Sequence, residues 1–261
     1  MNNNSMSKTL FVSMTLCLVC SLIISLAAVN LKDKQTANIL SDKQETILAS
    51  AGLLEEGKLI EESFLSIQEK IINLETGFYD NSIDLSTYDE KIFSRNELTS
   101  RKLLPREDIA VLKRRENFAK VYLHYKDGLL SAIILPVRGL GLWGTLYGYL
   151  AMEPDLETVI GLEFYKHKET PGLGGEVDNP RWKSLWRGKK IYSPSGEVIL
   201  SVIKGKVDNN SPTSTYQVDG LSGATITSNG VTNLLNFWLG ELGYGPYLKN
   251  LKLNNLENID V

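Results

Sequence analysis

The residue types best suited to unusual chemistry lie in one short run, Asp219-Gly220-Leu221-Ser222-Gly223-Ala224-Thr225-Ile226-Thr227-Ser228. Gly223 and Ala224 have almost no side chain, so a bulky phosphate could reach the backbone N–H groups without collision. Thr225 supplies a hydroxyl that could be esterified. The run therefore predicts a place where a phosphate-bearing group could be joined to the chain, although most such small-residue tetrapeptides are only turns that enter a helix.

The residues after Thr225 place this hydroxyl close to a predicted helix N-terminus. Thr227, Ser228 and Asn229 are good N-cap residues. Apolar residues at helical spacing follow them, at Val231, Leu234, Leu235 and Trp238. The unpaired N–H groups and the dipole at the start of a helix favour an anion. A phosphate at Thr225 would therefore be well placed electrostatically.

Two glycine-rich segments earlier in the chain could bring backbone N–H groups to the same bound group. The first is Gly139-Leu140-Gly141-Leu142-Trp143-Gly144, and the second is His167-Lys168-Glu169-Thr170-Pro171-Gly172-Leu173-Gly174-Gly175. Proline stiffens the second loop, and the glycines after it leave the backbone open to a ligand. A further glycine- and aromatic-rich segment runs from Trp238 to Leu248. The two glycine-rich segments are candidates for a pocket around Thr225.

The four segments, in their order along the chain, resemble those of the FMN-carrying subunits of two bacterial membrane redox complexes. These complexes are the Na⁺-translocating NADH:quinone reductase and the RNF complex. Residues 167–174 match the signature H-x-E-T-P-G-L-G, and residues 222–225 match the flavin-attachment motif. The resemblance covers the chain from about residue 10 to about residue 250. The N-terminal anchor, the long region before the first strand and the extended C-terminus are more similar to the FMN-carrying subunit of the reductase than to its shorter counterpart in the RNF complex.

The resemblance implies that FMN is joined to the chain by a phosphodiester bond to Thr225. The implied flavin pocket consists of Thr225, Ser222, Gly223, Ala224, Trp143, Glu169, Thr170, Leu173 and Lys204. Attachment would need a separate FMN transferase, because no activating base is obvious beside the Thr225 hydroxyl and Asp219 is only a remote candidate.

Several side chains of this pocket have an expected role, in two cases beside a structural alternative. The Trp143 ring could pack on the isoalloxazine plane, or it could anchor the core. Glu169 and Thr170 could hydrogen-bond to the polar edge of the ring, and Leu173 could contact its face. Lys204 could balance charge on the phosphate or on the reduced ring, or it could be a solvated surface residue.

Composition and motifs narrow the remaining chemistry. The net charge is −3, so the chain has no basic surplus of the kind that nucleic-acid binding needs. The two cysteines, Cys17 and Cys20, lie in the apolar N-terminal stretch, so the rest of the chain cannot bind an iron–sulfur cluster through thiolates. His167 lacks metal-ligand spacing and is expected to be structural. The sequence therefore predicts no metal site and no catalytic side chain.

An uncharged stretch from Leu10 to Val29 lies between Lys8 and Lys32. Its length meets the requirement of about 20 apolar residues for a transmembrane helix. Cleavage as a signal peptide after the small residues of Ser25-Leu26-Ala27 is the alternative. The distribution of charges leaves the topology open. The family resemblance implies a single anchor in the bacterial inner membrane, with the large domain on the periplasmic side.

Helical patterns follow the anchor. One helix is predicted around Gln35 to Ala51 and ends at Gly52. A second helix is predicted from a stripe of apolar residues, Ile60, Phe64, Ile67, Ile71 and Leu74, and ends at Gly77. Most stripes of this kind are ordinary packing faces.

Strand-like runs follow at 118–125, 129–137, 145–152, 159–165 and 197–206. Asp127-Gly128 predicts a hairpin with a type I′ turn. Asn179-Pro180 predicts a short helix with Trp182 and Trp186 on one face. Consecutive strands with helices at both ends indicate an α+β fold, a mostly antiparallel sheet with flanking helices, preceded by one transmembrane helix. The predicted organisation is a tail over 1–9, an anchor over 10–30, a helical region over 31–116, an FMN-binding domain over 117–250 and a tail over 251–261.

The resemblance implies a relay protein, in which covalent FMN passes electrons between cofactors on other subunits of a membrane redox complex. Three alternatives stay open at this point. The chain could be the RNF-type subunit, which differs in its electron donor. It could be an enzyme, either the FMN transferase itself or another flavin-dependent periplasmic reductase. It could also be a non-enzymatic anchored interaction module, in which residues 222–225 form only a turn.

Overall fold

A computed structural model describes residues 6–257, with side chains through residue 253. The chain consists of two compact units; the first ends at Lys43 and the second begins at Gln44. The first unit is part of helix α1 (Met6–Ser50), whose side chains are exposed from residue 6 to residue 40. Within the described residues, α1 is the only helix that is long and apolar enough to cross a membrane. An apolar helix exposed on all sides is what a single membrane anchor requires.

Deleting residues 1–33 should give a protein that is soluble without detergent, because the compact second unit begins only at Gln44. A matched deletion of residues 1–50 should instead destabilise the domain, since it also removes Ile47 and Leu48, which are fully buried. The measurements are the distribution of each variant between supernatant and membrane fraction after lysis without detergent, and then its thermal unfolding. A shorter truncation that stays with the membrane fraction would contradict the single-anchor prediction.

A five-stranded antiparallel sheet with the order β1-β4-β5-β6-β7 forms the centre of the second unit. The strands are β1 (Ile67–Asn73), β4 (Phe118–Lys126), β5 (Leu129–Leu140), β6 (Thr145–Met152) and β7 (Val159–Lys166). A small separate ribbon is formed by β2 (Ser100–Lys102) and β3 (Arg114–Glu116). Asp127 and Gly128 both have positive φ, as a type I′ turn needs. The predicted α+β class and the hairpin are confirmed.

The helix predicted over Ile60 to Leu74 is wrong. Helix α2 ends at Phe64, and Ile67–Asn73 is the edge strand β1, paired with β4. The strand contributes to the core on both faces of the sheet, since Ile67 packs on one side and Ile72 on the other. Backbone pairing with β4 and the β-branched isoleucines favour the strand over the helical stripe. Residues 31–116 are therefore not helical throughout, and the predicted domain boundary at 116/117 stays a prediction.

Each face of the sheet is covered by a helix. The last turns of α1 pack Ile47 and Leu48 against Tyr122 and Tyr149 on one face. Helix α5 (Thr225–Leu239) packs against β5 on the other face. The approach is close, because a Cβ added at Gly230 would lie 2.4 Å from the carbonyl oxygen of Leu140. Packing therefore holds α5 directly beside the start of the first glycine-rich loop.

The remaining elements are short, and several differ from the prediction. Helix α3 spans Glu90–Arg95, and α4 (Pro180–Ser184) is capped by Asn179 as predicted. The strand predicted over 197–206 is reduced to β8 (Ser201–Val202), which pairs in parallel with β9 (Gln217–Val218). Helix α6 (Gly245–Glu257) continues into the predicted C-terminal tail, and residues 258–261 lie outside the described part. Only two residues of the predicted strand pair with a neighbouring strand. The strand-like residue types over 197–206 therefore predicted a longer strand than the one that forms.

Candidate functional site

Helix α5 begins at Thr225, two residues before the predicted cap. Its N-cap is Ala224, and within the described residues no side chain caps the helix. The predicted caps are wrong, because the buried hydroxyls of Thr227 and Ser228 bond elsewhere: Thr227 donates to Glu169, and Ser228 donates to the carbonyl of Ala224. Thr225 is exposed as the first residue of the helix, so its hydroxyl lies at the positive end of the helix dipole.

The turn before α5 is built so that Thr225 faces solvent. The N–H of Ala224 donates to the carbonyl of Leu221 at 3.1 Å. Gly223 lies between them with φ of +71°, a conformation that glycine adopts without cost. A Cβ at Gly223 would also lie 2.9 Å from Cδ2 of Leu173. The turn of residues 221–224 and the Pro171–Gly175 loop are therefore in contact only because residue 223 has no side chain.

The carboxylate of Glu169 joins three segments of the site. Its Oε1 accepts from the backbone N–H of Trp143 at 2.9 Å, and its Oε2 accepts from the N–H of Leu142 at 3.3 Å. Oε2 also accepts from the hydroxyl of Thr227 at 2.5 Å. The Glu169 side chain, only 5% exposed, thus connects both glycine-rich loops with the first turn of α5.

These hydrogen bonds keep Glu169 ionised. Burial alone would raise the pKa of the carboxyl, but the bonds from Thr227 and from the backbone of residues 142–144 outweigh it and hold the pKa below its ordinary value of 4.5. Because the folded-state pKa is depressed, the carboxylate stabilises the fold at neutral pH. That contribution is present above the unfolded-state pKa and is lost as the pH falls through the folded-state pKa.

Large apolar side chains are exposed around this junction. Trp143 is 66% exposed, Leu173 is 44% exposed and Ile226 is 57% exposed. Trp143 is therefore not a core anchor, in contrast to Trp186 and Trp238, which are almost fully buried. Exposed aromatic and aliphatic side chains beside an uncapped helix start offer a flat ring a surface to cover.

The other predicted pocket residues occupy neighbouring loops. The carbonyl of Thr170 accepts from the N–H groups of Leu173 and Gly175, so it shapes the second loop. Lys204 is exposed. A Cβ added at Gly220 would lie 2.2 Å from the carbonyl oxygen of Ile203, so the segment that contains Lys204 lies beside the run 219–228. The structure brings residues 222–225 into one region with Trp143, Glu169, Thr170 and Leu173. The role of each residue toward FMN stays a prediction.

His167 is structural, as expected. Its Nδ1 accepts from the backbone N–H of Glu169 at 3.1 Å. Nε2 is therefore the protonated nitrogen, and it donates to Oδ2 of Asp178 at 2.7 Å. The ring fixes the turn that delivers Glu169 to the junction. The bond from Thr227 to Glu169 was not predicted from the sequence, because a threonine beside a helix start has the pattern of a cap.

Comparison with known proteins agrees with this site. The sequence model of the FMN-binding domain matches residues 141–240, which include residues 141–144 of the first glycine-rich segment, all of the second and the start of α5. The NqrC subunit of the Na⁺-translocating NADH-quinone reductase of Pseudomonas aeruginosa is 50% identical over 255 residues, which cover 96% of this chain and 98% of that protein. The chain belongs to the NqrC family of this reductase. The family predicted from the four motifs is thereby confirmed.

Two further comparisons support the same family. The NqrC subunit of Yersinia pestis is 44% identical over 262 residues, which cover 98% of this chain and 97% of that protein. The crystal structure of Shewanella oneidensis NqrC superposes with a TM-score of 0.77 at 36% identity, covering 83% of this chain and 99% of that chain. The full-length relatives favour the reductase subunit over the RNF-type subunit that the motifs alone left open.

Proposed function

We propose that this NqrC-family chain is an electron-relay subunit of the Na⁺-translocating NADH-quinone reductase and carries FMN through a phosphodiester bond to Thr225. In the assembled complex, NADH oxidation and quinone reduction would drive Na⁺ export. The observation that carries the proposal is the position of Thr225, an exposed hydroxyl at the start of an uncapped 15-residue helix within the FMN-binding domain.

The start of α5 suits the phosphate of FMN. The N–H groups of the first helical turn have no intrahelical acceptor, and the helix dipole favours an anion by about 0.3–1 kcal/mol. Gly223 and Ala224 leave space for the phosphate oxygens beside Thr225. Conversion of the phosphate monoester into a diester removes one ionisable oxygen, which reduces the charge that the site must hold. Lys204 is a candidate for balancing the remaining charge.

The exposed apolar surface suits the ring. Trp143 and Leu173 would contact the isoalloxazine, while the backbone of the loop after Thr170 would face its polar edge. FMN supplies the redox chemistry when bound, and the chain's residues bind the ring, orient it and limit its contact with water. The proposal assigns no general acid, base or nucleophile to this chain.

Attachment requires a second protein. Asp219 is a poor base for Thr225, because its Oδ1 accepts from the N–H of Val207 and its carbonyl accepts from the indole of Trp182. These bonds fix Asp219 as part of the loop. A separate FMN transferase would remove the Thr225 proton and join Oγ to the flavin phosphorus of a phosphoanhydride donor, whose anhydride P–O bond breaks and whose second phosphate departs as a monoester with that proton. The partners implied are this transferase and the other reductase subunits.

The proposed location is the bacterial inner membrane, with α1 as the only anchor and the FMN domain on the periplasmic side. A covalent bond would be useful on that side, because dissociated FMN could not be replaced from the cytoplasmic flavin pool. The exposed apolar side chains of α1 support retention of this helix as an anchor in the mature protein.

Intact-mass measurement on the protein purified with its complex from native membranes tests the function. The expected mass exceeds that of the polypeptide by one FMN less one water, and NADH added to the complex should bleach the flavin absorbance. A chain of unmodified mass, from cells that make the transferase, would refute the covalent-flavin proposal and favour an interaction module. Turnover of a substrate by the isolated domain would favour a separate enzyme.

A further inference from the structure

The Thr227 hydroxyl is fully buried and bonded to a charged group, although only one residue separates it from the exposed Thr225. Residues two apart on an α-helix point about 200° apart around its axis. Thr225 can therefore face solvent only while Thr227 faces the interior. There Thr227 Oγ1 donates to Oε2 of Glu169 at 2.5 Å. The inward hydroxyl thus fixes the rotation of the outward one.

The Glu169 carboxylate is tightly enclosed around this bond. A Cβ added at Gly174 would lie 2.6 Å from Oε2 of Glu169 and 2.6 Å from Oγ1 of Thr227. A Cβ added at Gly141 would lie 2.6 Å from Oε1. Thr227 and the backbone of residues 142–143 use the carboxylate's acceptor positions. The side chain therefore has little capacity left for the flavin ring itself.

The tip of the first glycine-rich loop depends on this carboxylate. The base of the loop is closed by the N–H of Gly141, which donates to the carbonyl of Gly144 at 2.8 Å. Between these residues, the N–H groups of Leu142 and Trp143 both donate to Glu169. Without the Thr227 donor, the only donor to Oε2 among these contacts would be the N–H of Leu142 at 3.3 Å, and the carboxylate could turn away from the loop. The exposed Trp143 ring would then lose its fixed position.

We propose that Thr227 is a positioning residue that acts through Glu169 and holds the Trp143 loop at a fixed distance from the attachment threonine. This inference rests on the proposed function, because it concerns the flavin joined to Thr225. Thr227 itself does not touch the flavin. Its hydroxyl fixes the position of the Trp143 loop relative to the start of α5, where the phosphate would be attached.

The test compares three substitutions in the full-length chain, purified with its complex. Thr227→Val keeps the side-chain shape and removes the donor, and Thr227→Ser keeps the donor. Thr232→Val is the matched control, since Thr232 lies on the same helix but bonds to the N–H of Val202. The measurements are intact mass, native-state flavin fluorescence and the flavin midpoint potential.

All three variants should carry the flavin mass. Thr227→Val should raise native-state flavin fluorescence by about twofold or more, because a mobile indole stacks on and quenches the ring less, and should shift the midpoint potential. Thr227→Ser and Thr232→Val should match the wild type. If Thr227→Val fails to fold, Thr227→Ala removes the donor without a new methyl group and must give the same increase.

Two results would overturn the inference. One is a Thr227→Val protein that unfolds at lower temperature but keeps wild-type fluorescence and potential, which would make Thr227 merely structural. The other is an equal change in Thr232→Val, which would show a general effect of α5. A wild-type chain without flavin mass would instead refute the proposed function, so the two failures are distinguishable.

Discussion

Thr225→Ala should abolish acid-stable flavin and the adduct mass together, and should stop electron transfer through the complex. The fold should stay nearly intact, because the substitution removes only a hydroxyl and a methyl group from an exposed residue, and such changes usually alter stability by less than about 0.5 kcal/mol. The measurements are in-gel flavin fluorescence under denaturing conditions, intact mass and NADH-driven quinone reduction. Thermal unfolding confirms that the fold survives.

Two companion variants locate the attachment to one oxygen atom. Thr225→Ser keeps a hydroxyl at the same position, so any loss of flavin in this variant reports the selectivity of the transferase. Ser222→Ala removes the other exposed hydroxyl of the attachment turn and should retain the flavin. Thr227 and Ser228 are unsuitable as neutral controls, since both hydroxyls are buried and hydrogen-bonded. Flavin that persists in Thr225→Ala but disappears in Ser222→Ala would move the attachment site to Ser222.

Arg138→Met should destabilise the domain by about 3–5 kcal/mol, the usual consequence of removing one partner from a buried ion pair. Arg138 lies on β5 immediately before the first glycine-rich loop, and its guanidinium binds both carboxylate oxygens of Glu116. The two side chains are only 9% and 2% exposed. Arg138 also lies 5.1 Å from the ring centre of Trp238. Without the arginine, the buried Glu116 carboxylate would lose the guanidinium that bonds to both of its oxygens.

Urea unfolding of the domain that begins at residue 34 measures this loss. The double variant Arg138→Met/Glu116→Leu should recover most of it, because well-packed apolar residues can replace a buried ion pair at little cost. A single Arg138→Met variant as stable as the wild type, or a double variant less stable than the single one, would show that the ion pair is not the stabilising element.

The sequence by itself determined the parts of this protein whose signals are local. Alternating and apolar runs located β4 to β7 within a few residues, and Asp127-Gly128 specified the hairpin through its positive φ angles. The uncharged stretch from Leu10 to Val29 indicated the apolar helix. Small residues before a hydroxyl, followed by helical periodicity, placed Thr225 near a helix N-terminus. Each of these signals depends on neighbours in the chain, so no tertiary information was needed.

Tertiary structure decided what distant residues impose on one another. The stripe from Ile60 to Leu74 has helical spacing, yet Ile67–Asn73 is a strand because β4 supplies its backbone partners from 45 to 57 residues away. Thr227 lies inside α5 and does not cap it, and its hydroxyl bonds instead to a carboxylate 58 residues earlier. Local residue propensities cannot predict hydrogen bonds between distant segments, because these bonds stabilise the protein only when both segments are packed together.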